Sequence, residues 1–211
     1  MTTVDYARAA RALSRRDPVL ADLVRRHGAC GLATRQHPDP FQALVRAIVS
    51  QQLSTKAAAT IASRFVALFG GTFPTPRQVD KAADAELRAV GLSFQKISYL
   101  RDLCRRIQEG SLPLAHLADL GDEEVIAALI EVKGIGRWTA EMFLMFRLQR
   151  PDVLPVGDLG ILKAVQKHYR LRQLPTPERL HRIGETWRPY RSIACWYLWA
   201  SLDNTPTTKD Q

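Results

Sequence analysis

Apolar residues recur every three or four positions along most of this 211-residue chain, the spacing that places them on one face of a helix. The clearest run follows Asp39 and Pro40, a helix N-cap with proline at the first helical position. Its apolar positions are Phe41, Leu44, Val45, Ile48 and Val49. Because no convincing strand pair interrupts this spacing, the sequence predicts an all-α fold.

Capping residues and glycines divide the rest of the pattern into further helices. The predicted helices are one capped by Ser54 and ending at Phe69, a short one ending at Val90, one between Ser93 and Gly110, two over residues 122–131 and 137–148, and others opening at Asp158, Thr176 and Pro189. No repeat or linker separates them, so residues 1–211 are expected to form a single region of two helical lobes with a cleft. The polar residues 203–211 are expected to fray.

The charge balance points to a polyanionic partner. The chain has 30 Lys and Arg against 21 Asp and Glu, a formal net charge of +9. Such an excess favours nucleic acid as a ligand, although a solvated basic surface is the alternative that composition leaves open.

The cysteine and hydropathy patterns exclude several classes of protein. Cys30, Cys104 and Cys195 lie far apart without a C-x-x-C pair, which argues against a disulfide framework, a zinc site or an iron–sulfur cluster. Reduced thiols of this kind are typical of a cytosolic protein, nucleoid-associated if the source is bacterial. No signal peptide or membrane-spanning run is expected.

The segment V-K-G-I-G-R-W-T-A at residues 132–140 places a tight turn between two predicted helices, within a hairpin at about 129–140. Its glycines permit positive φ and close approach of a ligand to the backbone, and the following helix N-terminus presents unpaired N–H groups. The candidates for binding one DNA phosphate are Gly134, Gly136 and Thr139 as donors, Ile135 as the buried anchor, and Lys133 and Arg137 as flanking cations. An ordinary helical corner is the alternative, since G-x-G alone is a weak signal.

One acid follows the hairpin by about twenty residues. Asp158, in L-P-V-G-D-L-G-I, opens the next predicted helix. An aspartate there is a good N-cap, and it is also placed to act chemically beside a bound nucleotide.

Three segments in this order resemble the helix–hairpin–helix DNA glycosylases that carry a Gly/Pro-rich loop and a catalytic aspartate, the HhH-GPD superfamily. They are the hairpin, F-Q-A-L-V-R-A-I-V-S-Q-Q-L-S at 41–54 and W-R-P-Y-R-S-I-A-C-W-Y-L-W at 187–199. Over roughly residues 38–202 the chain is similar to the AlkA-type DNA-3-methyladenine glycosylase II branch. The N-terminal β-lobe of AlkA is expected to be absent, because fewer than forty residues precede the first motif. Lys133 departs from the pattern, since many relatives have proline there.

The resemblance implies a monofunctional DNA glycosylase of base-excision repair. It would flip out an alkylated base such as 3-methyladenine or 7-methylguanine and hydrolyse the N-glycosidic bond with Asp158, leaving an abasic site. Relatives that also cut the strand carry a lysine at the position of Trp138, so no AP-lyase activity is expected.

The resemblance also assigns roles outside the hairpin. They are Trp138, Trp199 and Met142 as the base pocket, Phe94 as the wedge that fills the vacated stack, and Gln51 and Gln52 as DNA contacts near the lesion. The two glutamines are equally suited to capping helix ends, and Arg191 and Ser192 are placed either toward the backbone or toward the site. No cofactor is required, but a structural Na⁺ or K⁺ is implied at the backbone carbonyls of Ile130, Val132 and Ile135. The expected partner is double-stranded DNA with alkylated bases, bound by a monomer.

Two other functions fit the same residues. One is a non-catalytic DNA-binding module in which Asp158 only caps a helix. The other is a glycosylase for deaminated bases or ethenoadenine.

Overall fold

The computed structural model describes residues 4–32 and 39–202, and within them all regular structure is helical, as predicted. The predicted fraying of residues 203–211 lies outside these ranges. The twelve α-helices of the described residues are α1 (Tyr6–Arg16), α2 (Pro18–His27), α3 (Pro40–Ser50), α4 (Thr55–Leu68), α5 (Pro76–Lys81), α6 (Asp84–Ala89), α7 (Phe94–Gln108), α8 (Asp122–Ile130), α9 (Arg137–Phe146), α10 (Leu159–His168), α11 (Pro177–Gly184) and α12 (Arg191–Ala200). A 3-10 helix, Leu114–Asp119, precedes α8, and another, Glu185–Trp187, follows α11.

The predicted N-caps are confirmed by their hydrogen bonds. Asp39 accepts from Gln42 N at 2.8 Å, and Ser93 accepts from Lys96 N at 3.2 Å. Other helix bounds differ from the prediction by more than one residue. The short helix ending at Val90 is two helices, α5 and α6, because the backbone at Ala82 is extended. Helix α9 ends at Phe146 rather than 148, and α12 begins at Arg191 rather than 189.

The chain divides into two compact units, Met1–Gln36 with Leu144–Gln211, and His37–Phe143. We call them the terminal unit and the central unit. The boundary falls inside α9. The predicted two-lobed division is therefore present in the chain, whereas the cleft stays a prediction.

The central unit is built around α7. Helices α3, α5 and α6 all pack on it, and α4 packs on α3. The fully buried side chains include Leu44, Ile48, Leu100, Leu103 and Leu129. Burial of these apolar faces is the main source of stability for amphipathic helices of this length.

The terminal unit uses the N-terminal residues to which the sequence assigned no role. Helices α1 and α2 pack on each other and on α12. Asp17, only 6% exposed, caps α2 and accepts hydrogen bonds from the Tyr169 hydroxyl and from Trp187 Nε1. The first described residues are therefore part of the core that supports α10 and α12.

Two of the three thiols, those of Cys30 and Cys104, are held away from water. Burial raises the pKa of Cys30 to about 11 and that of Cys104 to about 12, so both stay protonated and unreactive near neutral pH. Across residues 4–32 and 39–202, no helix combines the length and the apolar character needed to cross a membrane.

Candidate active site and nucleic-acid interface

Asp158 is a nearly buried carboxylate in the terminal unit. It is 7% exposed and caps α10, its Oδ1 accepting the N–H of Ile161 at 2.8 Å. The same oxygen accepts Nε1–H of Trp199 at 2.9 Å. The capping role is thus present, and the indole adds a second donor that orients the carboxylate.

Gly160 and Phe146 set the position of this indole. A Cβ at Gly160 would lie 3.0 Å from Asp158 Oδ1 and 3.1 Å from Trp199 Cδ1, closer than side chains normally pack. The ring of Phe146 stacks on Trp199 with centroids 5.9 Å apart. The absent side chain at Gly160 therefore lets the indole reach the carboxylate.

The sequence patterns did not identify Leu159, an apolar residue next to Asp158. It follows Asp158 directly and is 53% exposed, although α10 buries Ile161, Ala164 and Val165. Its position off this buried face, next to a lone acid, is the signal that could have identified it.

The N-terminus of α12 fastens the loop that leads to Asp158. Arg191 donates to both carboxylate oxygens of Asp152, at 2.8 and 3.0 Å, and to the Asp152 carbonyl at 2.7 Å. Ser192 Oγ donates to the Arg150 carbonyl and accepts the N–H of Val153. The two residues whose orientation the sequence left open are therefore supports of the loop, with bidentate geometry that only arginine supplies.

The hairpin of the central unit contains a tight turn at residues 132–135. Ile135 N–H donates to Val132 C=O at 3.0 Å, and Gly134 has a φ of +80°, the features of a type II turn. A Cβ at Gly134 would lie 2.1 Å from the ring of Tyr99, so only glycine fits. Ile135 is 4% exposed, as an anchor of the turn must be.

Gly136 is a glycine that the protein's own packing does not require. Its φ lies outside the left-handed region, and a Cβ there would meet no atom within 4 Å. Gly136 is exposed, as is Lys133 on the other side of the turn. An open backbone at this point suits close approach of a ligand.

Of the remaining hairpin candidates, Arg137 is paired within the central unit and Thr139 is buried. Arg137 forms ion pairs with Glu123 at 2.5 Å and with Glu141 at 3.2 Å. These carboxylates neutralise part of the positive charge that the sequence predicted would face a phosphate. Thr139 is 8% exposed, so its side chain is largely inside the protein.

Gln51 connects the hairpin to the turn between α3 and α4. Its amide Nε2 donates to the carbonyl of Gly134 at 2.8 Å, and its own carbonyl accepts from Lys96 Nζ at 2.8 Å. Lys96 also donates to Val49 C=O, and burial lowers the pKa of this lysine. Gln52 is exposed with a φ of +56°, which is unusual for a side chain of its size. The candidate DNA elements of the central unit are thus hydrogen-bonded to one another.

Phe94 is not a core residue. It opens α7, is 68% exposed and lies under the guanidinium of Arg88, 4.6 Å from the ring centroid. An exposed aromatic ring at a helix start is available to enter a base stack.

The predicted base pocket is divided between the two units. Trp199 lies beside Asp158 in the terminal unit, whereas Trp138, 50% exposed, and the half-buried Met142 belong to the central unit. A pocket that uses all three stays a prediction. Trp187 is fully buried, as expected of a core residue.

The comparisons with known proteins agree with this geometry. Residues 45–189 match the family described as HhH-GPD superfamily base excision DNA repair protein. A DNA-3-methyladenine glycosylase 1 of Schizosaccharomyces pombe is 39% identical over 173 residues, covering 81% of this chain and 76% of the relative. The chain belongs to the HhH-GPD superfamily, as the motifs predicted.

A bacterial relative and a solved structure extend the comparison. DNA-3-methyladenine glycosylase 2 of Escherichia coli is 32% identical over 173 residues, which are 76% of this chain and 57% of that protein. The structure of an S. pombe 3-methyladenine DNA glycosylase in complex with abasic DNA superposes with a TM-score of 0.81 at 35% identity. That match covers 96% of this chain and 100% of the other.

Proposed function

We propose that this chain is a monofunctional DNA glycosylase that removes alkylated bases from double-stranded DNA in base-excision repair, with Asp158 as the catalytic residue. The observation that carries the proposal is the Asp158 carboxylate, nearly buried and oriented by Ile161 N–H and Trp199 Nε1–H. The names of the relatives, DNA-3-methyladenine glycosylases, support the substrate class.

The chemistry needs little more than this carboxylate. As the N-glycosidic bond breaks, its electron pair stays with the alkylated base, whose positive charge is thereby neutralised, and positive charge develops on the sugar. The Asp158 carboxylate stabilises that charge and orients a water whose oxygen bonds to C1′. The water's proton leaves through the carboxylate to solvent, and the product is an abasic site.

The hairpin is the proposed phosphate grip. The open backbone at Gly136, the exposed Lys133 and the N-terminus of α9 supply donors and positive charge for one phosphate. Phe94 would fill the space left by the flipped base, with the exposed Gln52 beside the lesion. Trp138, Trp199 and Met142 would enclose the base, an electron-rich surround for a cationic ring.

A monovalent cation is a further part of the proposal. Among the described residues no group of three or more His, Cys, Asp or Glu could hold a metal. The donors that the family resemblance implies are backbone carbonyls. The Val132 carbonyl already accepts Ile135 N–H, and a carbonyl oxygen has a second lone pair for an ion. The carbonyls of Ile130, Val132 and Ile135 would hold Na⁺ or K⁺, which would add positive charge beneath the phosphate.

The test is base release from methylated duplex DNA by the parent chain and by Asp158→Asn. Asparagine preserves the helix cap, so loss of release with retained DNA binding would assign the chemistry to the carboxylate. Asp5→Asn is the matched control, because Asp5 caps α1 in the same way, accepting Arg8 N–H at 2.9 Å. Release that survives Asp158→Asn would contradict the catalytic assignment.

Two further outcomes separate the alternatives. Binding without release by the parent would favour a DNA-binding module, or a glycosylase for hypoxanthine or ethenoadenine, which are tested next. Borohydride should trap no covalent adduct, because Trp138 stands where a Schiff-base lysine is needed. A trapped adduct would overturn the monofunctional assignment.

A further inference from the structure

A buried acid on α7 touches the backbone of the hairpin turn. Asp102 is 6% exposed, on a helix that otherwise buries apolar side chains. Its Oδ2 accepts the N–H of Lys133 at 3.0 Å and Nε of Arg106 at 3.1 Å, and its Oδ1 accepts from Arg105 at 2.7 Å. This carboxylate has no part in the proposed chemistry of Asp158.

The hydrogen bonds more than compensate for the burial of the charge. Burial by itself raises the pKa of Asp102. The hydrogen bond from Lys133 N–H and those from Arg105 and Arg106 lower it, and their combined effect is larger, so the pKa lies below its usual value. The carboxylate is therefore ionised at neutral pH. Its bond to Lys133 N–H is charge-assisted and stronger than a neutral one.

The position of Lys133 in the turn explains why this bond matters. The turn is closed by Ile135 N–H and Val132 C=O, so the N–H of Lys133 is not used within it. Asp102 supplies the acceptor from outside the turn. The contact therefore holds Lys133, which directly precedes Gly134 and begins the segment that leads to Gly136.

We propose that Asp102 is the positioning residue of the phosphate-binding hairpin, holding the turn through the backbone N–H of Lys133. The inference rests on the proposed DNA-binding role of the hairpin. It gives a function to a buried acid at an open cavity of about 480 Å³, whose charged lining is mixed: Arg101, Arg105 and Lys133 stand beside Asp80, Asp102 and Glu109.

The first test is the affinity of Asp102→Ala for undamaged duplex DNA, measured by fluorescence anisotropy. Removing a negative charge would by itself tighten binding to DNA. We expect the opposite, an affinity weaker by about fivefold or more, because the turn loses a charge-assisted bond. Glu109→Ala is the matched control, since Glu109 is an acid of the cavity lining that pairs with Arg105 at 2.8 Å, and it should bind as tightly as the parent or more tightly.

The second test isolates the N–H. Lys133→Pro deletes the donor, at a turn position that favours proline, whereas Lys133→Ala deletes the same cation and keeps the donor. Asp102→Ala should weaken binding about fivefold in the Lys133→Ala background and have little effect in the Lys133→Pro background. Equal effects in the two backgrounds would overturn the inference, as would parent-like binding by Asp102→Ala.

Asp102→Asn covers the case in which Asp102→Ala does not fold. Asparagine keeps the size but loses the charge that strengthens the bond to Lys133 N–H, so Asp102→Asn should weaken binding in the Lys133→Ala background and have little effect in the Lys133→Pro background. Equal effects of Asp102→Asn in the two backgrounds would overturn the inference. The two proposals fail differently. If the parent binds DNA but releases no base, only the proposed glycosylase activity is contradicted. If Asp102→Ala has the same effect in both Lys133 backgrounds, only the positioning role of Asp102 is contradicted.

Discussion

The indole N–H of Trp199 donates to Oδ1 of Asp158 at 2.9 Å, joining α12 to the N-terminus of α10. The tryptophan that the sequence proposed as a wall of the base pocket is therefore also a hydrogen-bond donor to the proposed catalytic carboxylate. Trp199→Phe removes the N–H and keeps an aromatic ring that can stack on Phe146.

We expect Trp199→Phe to lower the single-turnover rate of base release by about tenfold or more, since a hydrogen bond to a charged group contributes about 1.5–3 kcal/mol. DNA affinity should change little. Trp196→Phe, on the same helix, is the control and should retain the parent rate. A Trp199→Phe enzyme as fast as the parent would show that the indole serves packing alone.

Gly160→Ala should damage the same contact from the other side. The added Cβ would lie 3.0 Å from Asp158 Oδ1 and 3.2 Å from Trp199 Nε1, so one of the two side chains must move. We expect base release to slow by about tenfold with the fold intact, because small displacements of catalytic groups are costly. Gly157→Ala, whose Cβ meets nothing within 4 Å, is the control for thermal unfolding. Parent-like release by Gly160→Ala would mean that the pair tolerates the displacement.

The two hairpin glycines should respond differently to alanine. Gly134→Ala forces a side chain into a φ of +80° and against Tyr99, and should lower the free energy of unfolding by about 1–2 kcal/mol or more. Gly136→Ala should leave stability within about 0.5 kcal/mol and weaken DNA binding, because its methyl group would occupy the face where the phosphate approaches. Chemical denaturation and DNA titration separate the two effects. Unchanged binding by Gly136→Ala would place the phosphate elsewhere.

Phe94→Ala tests the wedge without disturbing the core. The side chain is 68% exposed, so the free energy of unfolding should change by no more than about 0.5 kcal/mol. Base release from duplex DNA should fall strongly, whereas release from single-stranded DNA, where no stack has to be filled, should be nearly unaffected. Leu174→Ala, at an apolar residue that is 43% exposed, is the control. An equal loss on both substrates would contradict the wedge.

Local signals predicted much of this fold because helices are local structures. Asp39, Ser54, Ser93, Asp158 and Thr176 each accept a backbone N–H at the helix starts that the sequence indicated. The apolar faces of α3 and α7 are buried as their spacing predicts. The division between α5 and α6 was missed, since an extended residue between two polar helical turns has no strong sequence signal.

Residues distant in the sequence could not be connected by pattern. Gln51 reaches Gly134, Lys96 reaches Val49 and Gln51, and Asp102 reaches Lys133, each across more than thirty positions. Helix periodicity assigns each residue to a face but does not say which neighbour that face meets. The first of these contacts shows that Gln51 supports the hairpin, and the bonds of Arg191 to Asp152 likewise show that Arg191 supports a loop.

The sequence by itself determined the all-α class, the hairpin with its two glycines, the aspartate that opens the helix about twenty residues later and the family to which the chain belongs. Caps, periodicity and motif order are properties of neighbouring residues, which the chain carries before it folds. Only the tertiary structure decided that Trp199 bonds to Asp158, that Gly160 makes room for that bond, and that Asp102 holds Lys133. Those relationships depend on packing between helices, where a few tenths of an ångström separate a hydrogen bond from a collision.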